Sequence, residues 1–258
     1  MVRRNTRQFY LRYRNRRKAY QNKLYSGYHS AIKSVFDDVL VNLEQGVKKI
    51  PSTKDIQSRM RAKTKAGYRQ VVQAGFKYGL MDVEEAYGRP LPVLLEKEIS
   101  DDDLLRLGMV AVVDYIQEQS MAQVVTIAES LHGKLRSIFE QSAEAMEGRP
   151  ELAARIQAVA DPYPKWMANR IAQTETTRAF NNGALEGYEK STVVSGKEWV
   201  TNLMGNPRPE HEAAHGQVVP VDKPFSVGGE DLMFPGDSNG SPKMIINCHC
   251  GLMPVITI

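Results

Sequence analysis

The texture of the chain changes once, after Ser191, and that change constrains the fold most. Ahead of it, apolar residues recur at helical spacing. Behind it, twelve glycines and prolines fall between Gly205 and Pro242. Such density excludes long helices and leaves short strands between turns. The expected fold is α+β: a mainly helical N-terminal region, then a compact C-terminal unit of a helix and a small irregular β-sheet. The 258 residues suffice for one large domain or two small ones. Breaks at Gly88-Arg89-Pro90-Leu91-Pro92 and Gly148-Arg149-Pro150 set expected bounds at 1–90, 91–150 and 151–258.

Helix by helix, the pattern is explicit. Phe9, Tyr13, Tyr20, Leu24, Tyr28, Ile32, Val35 and Val39 make one apolar stripe along a first helix, predicted to end between Gly46 and Pro51. Ser52, with Asp55 at the third position, has the form of a capping box. It opens a helix predicted to reach Tyr78 and stop at Gly79. Ser100, followed by Asp101, Asp102 and Asp103, starts another, with an interruption at Gly133 and a continuation to Met146. A short helix over 151–160 and a longer one from Lys165 to Glu189 follow. Val193–Val194 and Lys197 to Thr201 read as strands, and Trp166 and Trp199 as core residues.

The net charge of +4 hides an asymmetry. Residues 1–78 hold 19 Lys/Arg against 4 Asp/Glu; residues 79–258 hold 15 against 26. The first acid is Asp37. Ahead of it stand Arg3, Arg4, Arg7, Arg12, Arg14, Arg16, Arg17, Lys18 and Lys23. These nine read as a basic arm for DNA or for an acidic partner; the alternative is a solvated helix surface. The longest apolar run, Leu104 to Val113, carries Arg106 and Gly108 and falls short of the ~18–20 residues a bilayer span needs, so no membrane partner is expected.

The sharpest chemistry lies behind the texture change. Pro209 to Gly216 reads as a short helix that places His211 and His215 on one face. Cys248 and Cys250 flank His249; a disulfide between them would be strained, which fits a reducing compartment. Two imidazoles and two thiolates complete a tetrahedral zinc shell, a structural site with no open position. The alternative is a locally packed histidine and two small buried thiols. His211-Glu212-Ala213-Ala214-His215 also has the spacing of a zinc hydrolase, with Glu212 as general base. The helix is short for that role and supplies no third ligand. Glu175 falls in an apolar stripe with Ala168, Ile171, Ala172 and Ala179 and needs a partner, for which Arg178 is placed; a catalytic Glu175 is the other reading. No phosphate-cradling Gly-rich loop and no Gly-x-Ser-x-Gly are present.

Thr174-Glu175, Arg178-Ala179-Phe180-Asn181-Asn182-Gly183, Trp199-Val200-Thr201, Asn206-Pro207-Arg208-Pro209-Glu210-His211, Gly216-Gln217, Phe234-Pro235-Gly236-Asp237 and Asn247-Cys248-His249-Cys250 occur in a specific order. That order resembles phage head morphogenesis proteins, the minor head proteins similar to the F protein of phage Mu. The resemblance covers about residues 150–256. Three positions depart from it: Asn202 or Asn206 where the family has an acid, His215 where it often has Asp, and His249 where it usually has Arg. The resemblance implies a virion component made in the bacterial cytoplasm and placed near the portal, with portal protein, major capsid protein and phage DNA as partners. It implies no reaction, so no catalytic residue is expected, and Glu175, Arg178, Asn181 and Trp199 are expected to be structural.

Overall fold

The computed structural model describes residues 5–88 and 101–256, with side chains at 5–88 and 123–256. Arg3, Arg4, the segment Arg89 to Pro92 and Ser100 lie outside the described residues. The fold is α+β. Five long helices come first: α1 (Thr6–Glu44), α2 (Thr53–Tyr87), α3 (Asp101–Glu144), α4 (Arg149–Ala160) and α5 (Pro162–Lys190). Strand β1 (Val194–Val200) follows, then helix α6 (Pro209–Ala213) and the strands β2 (Val218–Pro220), β3 (Phe225–Val227) and β4 (Glu230–Leu232). Helix α7 (Pro242–Ile245) and strand β5 (Gly251–Ile256) complete the chain.

Local chemistry starts the first two helices. Asn5 accepts from the Gln8 amide at 3.1 Å and caps α1. Ser52 and Asp55 form the capping box of α2, each side chain accepting from the other's amide at 3.2 Å. The end of α2 differs: Gly79 does not stop it, and the helix runs on to Tyr87, where Gly88 caps it in the left-handed conformation at φ 74°. Gly79 is instead a packing residue. A Cβ at Gly75 would lie 2.3 Å from the Phe180 oxygen, one at Gly183 2.3 Å from the Val72 oxygen, and one at Gly79 2.8 Å from the Ala184 oxygen. Glycines four apart on α2 (Gly75, Gly79) and on α5 (Gly183, Gly187) thus bring the two backbones into contact, nearer than larger side chains allow. Gly133 interrupts nothing either, because α3 passes through it with open space where a Cβ would sit.

One large core gathers Phe9, Tyr28, Ile32 and Phe36 of α1, Ile56, Tyr68 and Val72 of α2, Leu131 and Leu135 of α3, Ile156 of α4, and Ala172 and Phe180 of α5, and continues to Met253 of β5. It crosses both expected domain bounds. A second core, around Trp199, Phe225, Leu232, Leu252 and the two cysteines, also takes in Phe76 and Val83 of α2. The main sheet has the order β2-β1-β5, all antiparallel, with Trp199 opposite Leu252; β3 and β4 form a separate hairpin. Trp199 is fully buried, edge-on to Phe225 at 5.4 Å between ring centroids. Trp166 is not a core residue: it is 56% exposed, with Arg170 5.4 Å over its ring. Among the described residues, no helix is long and apolar enough to cross a membrane.

The N-terminal charges are less free than a basic arm implies. α1 and α2 are antiparallel neighbours, and acids near the end of α2 meet bases near the start of α1. Arg12 pairs with Glu85 at 2.8 Å and Arg16 with Asp82 at 2.9 Å. Arg17 is buried. The rings of Phe9 and Tyr13, from the apolar stripe of α1, are buried in the chain's own core. Arg7, Lys18 and Lys23 stay exposed and Arg14 half-buried. Lys23 donates to Gln70 and lies 5.4 Å over the Tyr20 ring.

Candidate metal centre

His211, Cys248 and Cys250 converge from two distant stretches of chain. Pro209 begins α6 as its first residue, and Arg208 anchors that start by donating to the Ile246 carbonyl. This turns His211, at 2% exposure, inward against the Trp199 ring, edge-to-face at 5.6 Å. On the other side, α7 ends at Ile245, and Asn247 takes φ 55° to send the chain into the Cys-His-Cys segment. Asparagine tolerates that left-handed conformation better than most residues. The Asn247 amide donates to Thr174 Oγ1 at 3.0 Å.

Every carbonyl of the Cys-His-Cys segment is held by a side chain of α1 or α5. Thr177 Oγ1 at 2.7 Å and Gln173 Nε2 at 3.1 Å donate to the Cys248 oxygen. The Tyr10 hydroxyl, which donates to Asn202 Oδ1 at 2.7 Å, also lies 3.2 Å from the His249 oxygen. Tyr13 at 2.7 Å and Asn181 Nδ2 at 3.1 Å donate to the Cys250 oxygen. Arg17 braces the set, donating to Thr177 Oγ1 at 2.9 Å with its other nitrogen 3.3 Å from His249 Nδ1. Burial first, then Arg17 and Arg208, push the His249 ring down to about 4, so it is neutral near pH 7. Burial likewise pushes the Tyr10 phenol up to about 12, which keeps it a donor.

At the centre, His211 Nδ1 lies 3.7 Å from the Cys248 sulfur and 3.4 Å from the Cys250 sulfur. The three ligand atoms are all within 4.8 Å of one another. Zinc bonds of about 2.3 Å to sulfur and 2.05 Å to nitrogen at a tetrahedral angle require a nitrogen–sulfur separation of roughly 3.6 Å. The observed distances bracket that value, so the arrangement fits a tetrahedral ion. Hydrogen bonds from Cys248 and His211 hold the Cys250 thiol well below its usual range. The bond to Cys250, with burial, pushes Cys248 well above it. A metal ion binding here would displace the thiol protons, because the thiolate is the ligand. Two thiolates and an imidazole make a soft donor set suited to zinc.

His215 is not part of this group. The helix expected to carry both histidines ends at Ala213, and His215 sits in the exposed turn beyond it, its Nδ1 3.5 Å from the Thr201 amide. Glu212 is exposed as well, so His211, Glu212 and His215 do not share one buried cluster. Glu175 and Arg178 meet at 2.7 Å, at 3% and 0% side-chain exposure. Tyr68 donates to the second Glu175 oxygen at 2.9 Å, and Arg178 Nε to the Gly236 carbonyl at 2.8 Å. Asn181 Nδ2 also reaches the Pro235 carbonyl at 2.9 Å. These residues pin α5 to the Phe234 to Asp237 turn. The supporting donors Tyr10, Tyr13, Arg17, Gln173 and Thr177 escape a reading of the sequence. A partial signal exists, since Gln173, Thr177 and Asn181 recur every four residues on the buried side of α5.

Comparison with known proteins bears on the C-terminal part of the chain. A relative from Bacillus subtilis (strain 168), the uncharacterized protein YqbB, is 37% identical over 98 residues. The match covers 36% of this chain and 32% of that protein, so the chain spans about a third of that relative's length. No solved structure matches the chain significantly. The family model described as phage Mu protein F like protein matches residues 133–253, a stretch that holds α5, strands β1 to β4, the start of β5 and all three metal-site residues. The C-terminal part of the chain is therefore a match to the phage Mu protein F like family.

Proposed function

We propose that the protein is a minor head protein of a bacteriophage: a non-enzymatic virion component made in the host bacterial cytoplasm, associated with the portal and acting in head assembly, DNA packaging or genome delivery. The observation that carries this reading is the family match over residues 133–253. Portal protein and major capsid protein are the partners it implies. A zinc ion on His211, Cys248 and Cys250 would fasten α6 to the Cys-His-Cys segment and contribute directly to folding. The thiols are free, which suits a reducing cytosol during synthesis.

DNA contact falls to the outer surface of the α1–α2 pair rather than to a detached arm. Arg7, Lys18 and Lys23 of α1 are exposed, and so are Lys54, Lys63, Lys65, Arg69 and Lys77 of α2. Cations that neutralise phosphates release counterions from duplex DNA, with a log–log salt slope of about −0.9 per phosphate. The test of the whole reading is composition. DNA-filled heads of the phage that encodes the chain should contain it in few copies. Its absence from those heads would contradict the proposal.

A further inference from the structure

We infer that the metal held by His211, Cys248 and Cys250 keeps its fourth coordination position open to the adjoining cleft, where it takes an exchangeable small anion in place of water. The inference rests on the metal reading above and deepens it.

Three protein ligands leave a tetrahedral ion one position short. Among the described residues no fourth His, Cys, Asp or Glu joins the group. Other side chains of these types in the C-terminal unit are placed or paired away from it. His215 is exposed beyond α6, and His249 Nδ1 faces Arg17. Glu210 accepts from Lys243 at 2.6 Å, and Asp237 accepts the Met233 and Asn239 amides at 2.8 and 3.0 Å.

The missing position has somewhere to open. His211, Cys248 and Cys250 line a cleft of about 230 Å³, together with Asn202, Asn206, Pro207, Arg208, Asn247 and His249. A water molecule occupies about 30 Å³ of liquid, so the cleft has room for a metal-bound water and a small ligand. Its lining includes no carboxylate, and its one full charge is Arg208. Two thiolates cancel the charge of a divalent ion, which leaves the Arg208 guanidinium to set the sign of the site. An anion is the ligand such a field favours. The amides of Asn202, Asn206 and Asn247 line the same space.

Cobalt(II) reports both levels of the argument on the full-length chain. Thiolate-to-cobalt charge-transfer absorption shows that the metal is bound through the cysteines. The ligand-field bands show what fills the remaining position. Titration with azide at constant pH should move the ligand-field bands saturably while the charge-transfer band persists. Asn206→Asp, which leaves the Arg208 anchor of α6 in place, should weaken azide binding about tenfold or more, the scale of one charged interaction, with the charge-transfer band retained. Charge transfer present but ligand-field bands unmoved by azide would show a closed shell and overturn the inference alone. Absence of charge transfer would overturn it together with the metal site beneath it.

Discussion

Tyr13 donates its hydroxyl to the carbonyl of Cys250 at 2.7 Å, across 237 positions of sequence. The contact is close on the carbon side too, since a Cβ at Gly251 would lie 2.9 Å from the Tyr13 ring. The first helix is therefore part of the frame that holds the metal-site segment. Tyr13→Phe keeps the ring and removes the donor, leaving Asn181 as the partner of the Cys250 oxygen. It should cost about 1 kcal/mol in urea unfolding and weaken zinc affinity. Unchanged values for both would mean that α1 merely rests against the segment.

The buried ion pair should be costly to halve. Glu175→Ala removes the carboxylate from the enclosed Arg178 and an acceptor from Tyr68. Breaking such a pair typically costs about 3–5 kcal/mol, whereas replacing both members with apolar residues of similar volume is often close to neutral. Urea unfolding of Glu175→Ala and of Glu175→Leu with Arg178→Met gives the comparison. Two equally destabilised variants would contradict the account.

Glycine substitutions separate packing from interruption. Gly183→Ala drives a methyl group into the Val72 carbonyl and should destabilise by about 1–3 kcal/mol or more. Gly133→Ala meets nothing within 4 Å and should stabilise by about 0.5–1 kcal/mol through helix propensity alone. Thermal unfolding of the two proteins should show shifts of opposite sign.

Lys197 is fully buried in β1, its Nζ 5.4 Å over the Phe225 ring and without a hydrogen-bond acceptor among the described residues. Burial lowers it from 10.5 to about 8, against the opposing pull of Glu189, Asp222 and Asp237. Between those values the unfolded lysine holds a proton that the folded one has shed. Stability should rise with pH across that window and fall as pH drops through about 8. The protonated form then costs roughly 3 kcal/mol at pH 7. Lys197→Met should raise stability at pH 7 and remove this part of the pH dependence. A pH profile identical to that of the parent protein would sink the argument.

Much of the fold was legible because helix signals are local. The Ser52 cap, the apolar stripe of α1 and the Gly/Pro-rich C-terminal unit all rest on short-range chemistry. Gly79 misled because a glycine near a helix end and a glycine in a helix contact look alike until the facing helix is known. Arg12 and Arg16 lack acids nearby in sequence and find them in α2, about 70 residues on. In the candidate site, the residue types were legible and the closure was not. His211 and His215 share a face only if the helix lasts, and α6 ends at Ala213. The donors from α1 are set by a packing arrangement that no local pattern encodes.

The most direct test of the central claim is zinc content of the purified full-length protein, measured beside four variants. The account predicts about one zinc per chain, lost in His211→Ala, Cys248→Ser and Cys250→Ser and retained in His215→Ala. A parent protein without zinc, or a His215→Ala variant that loses it, would contradict the three-ligand centre.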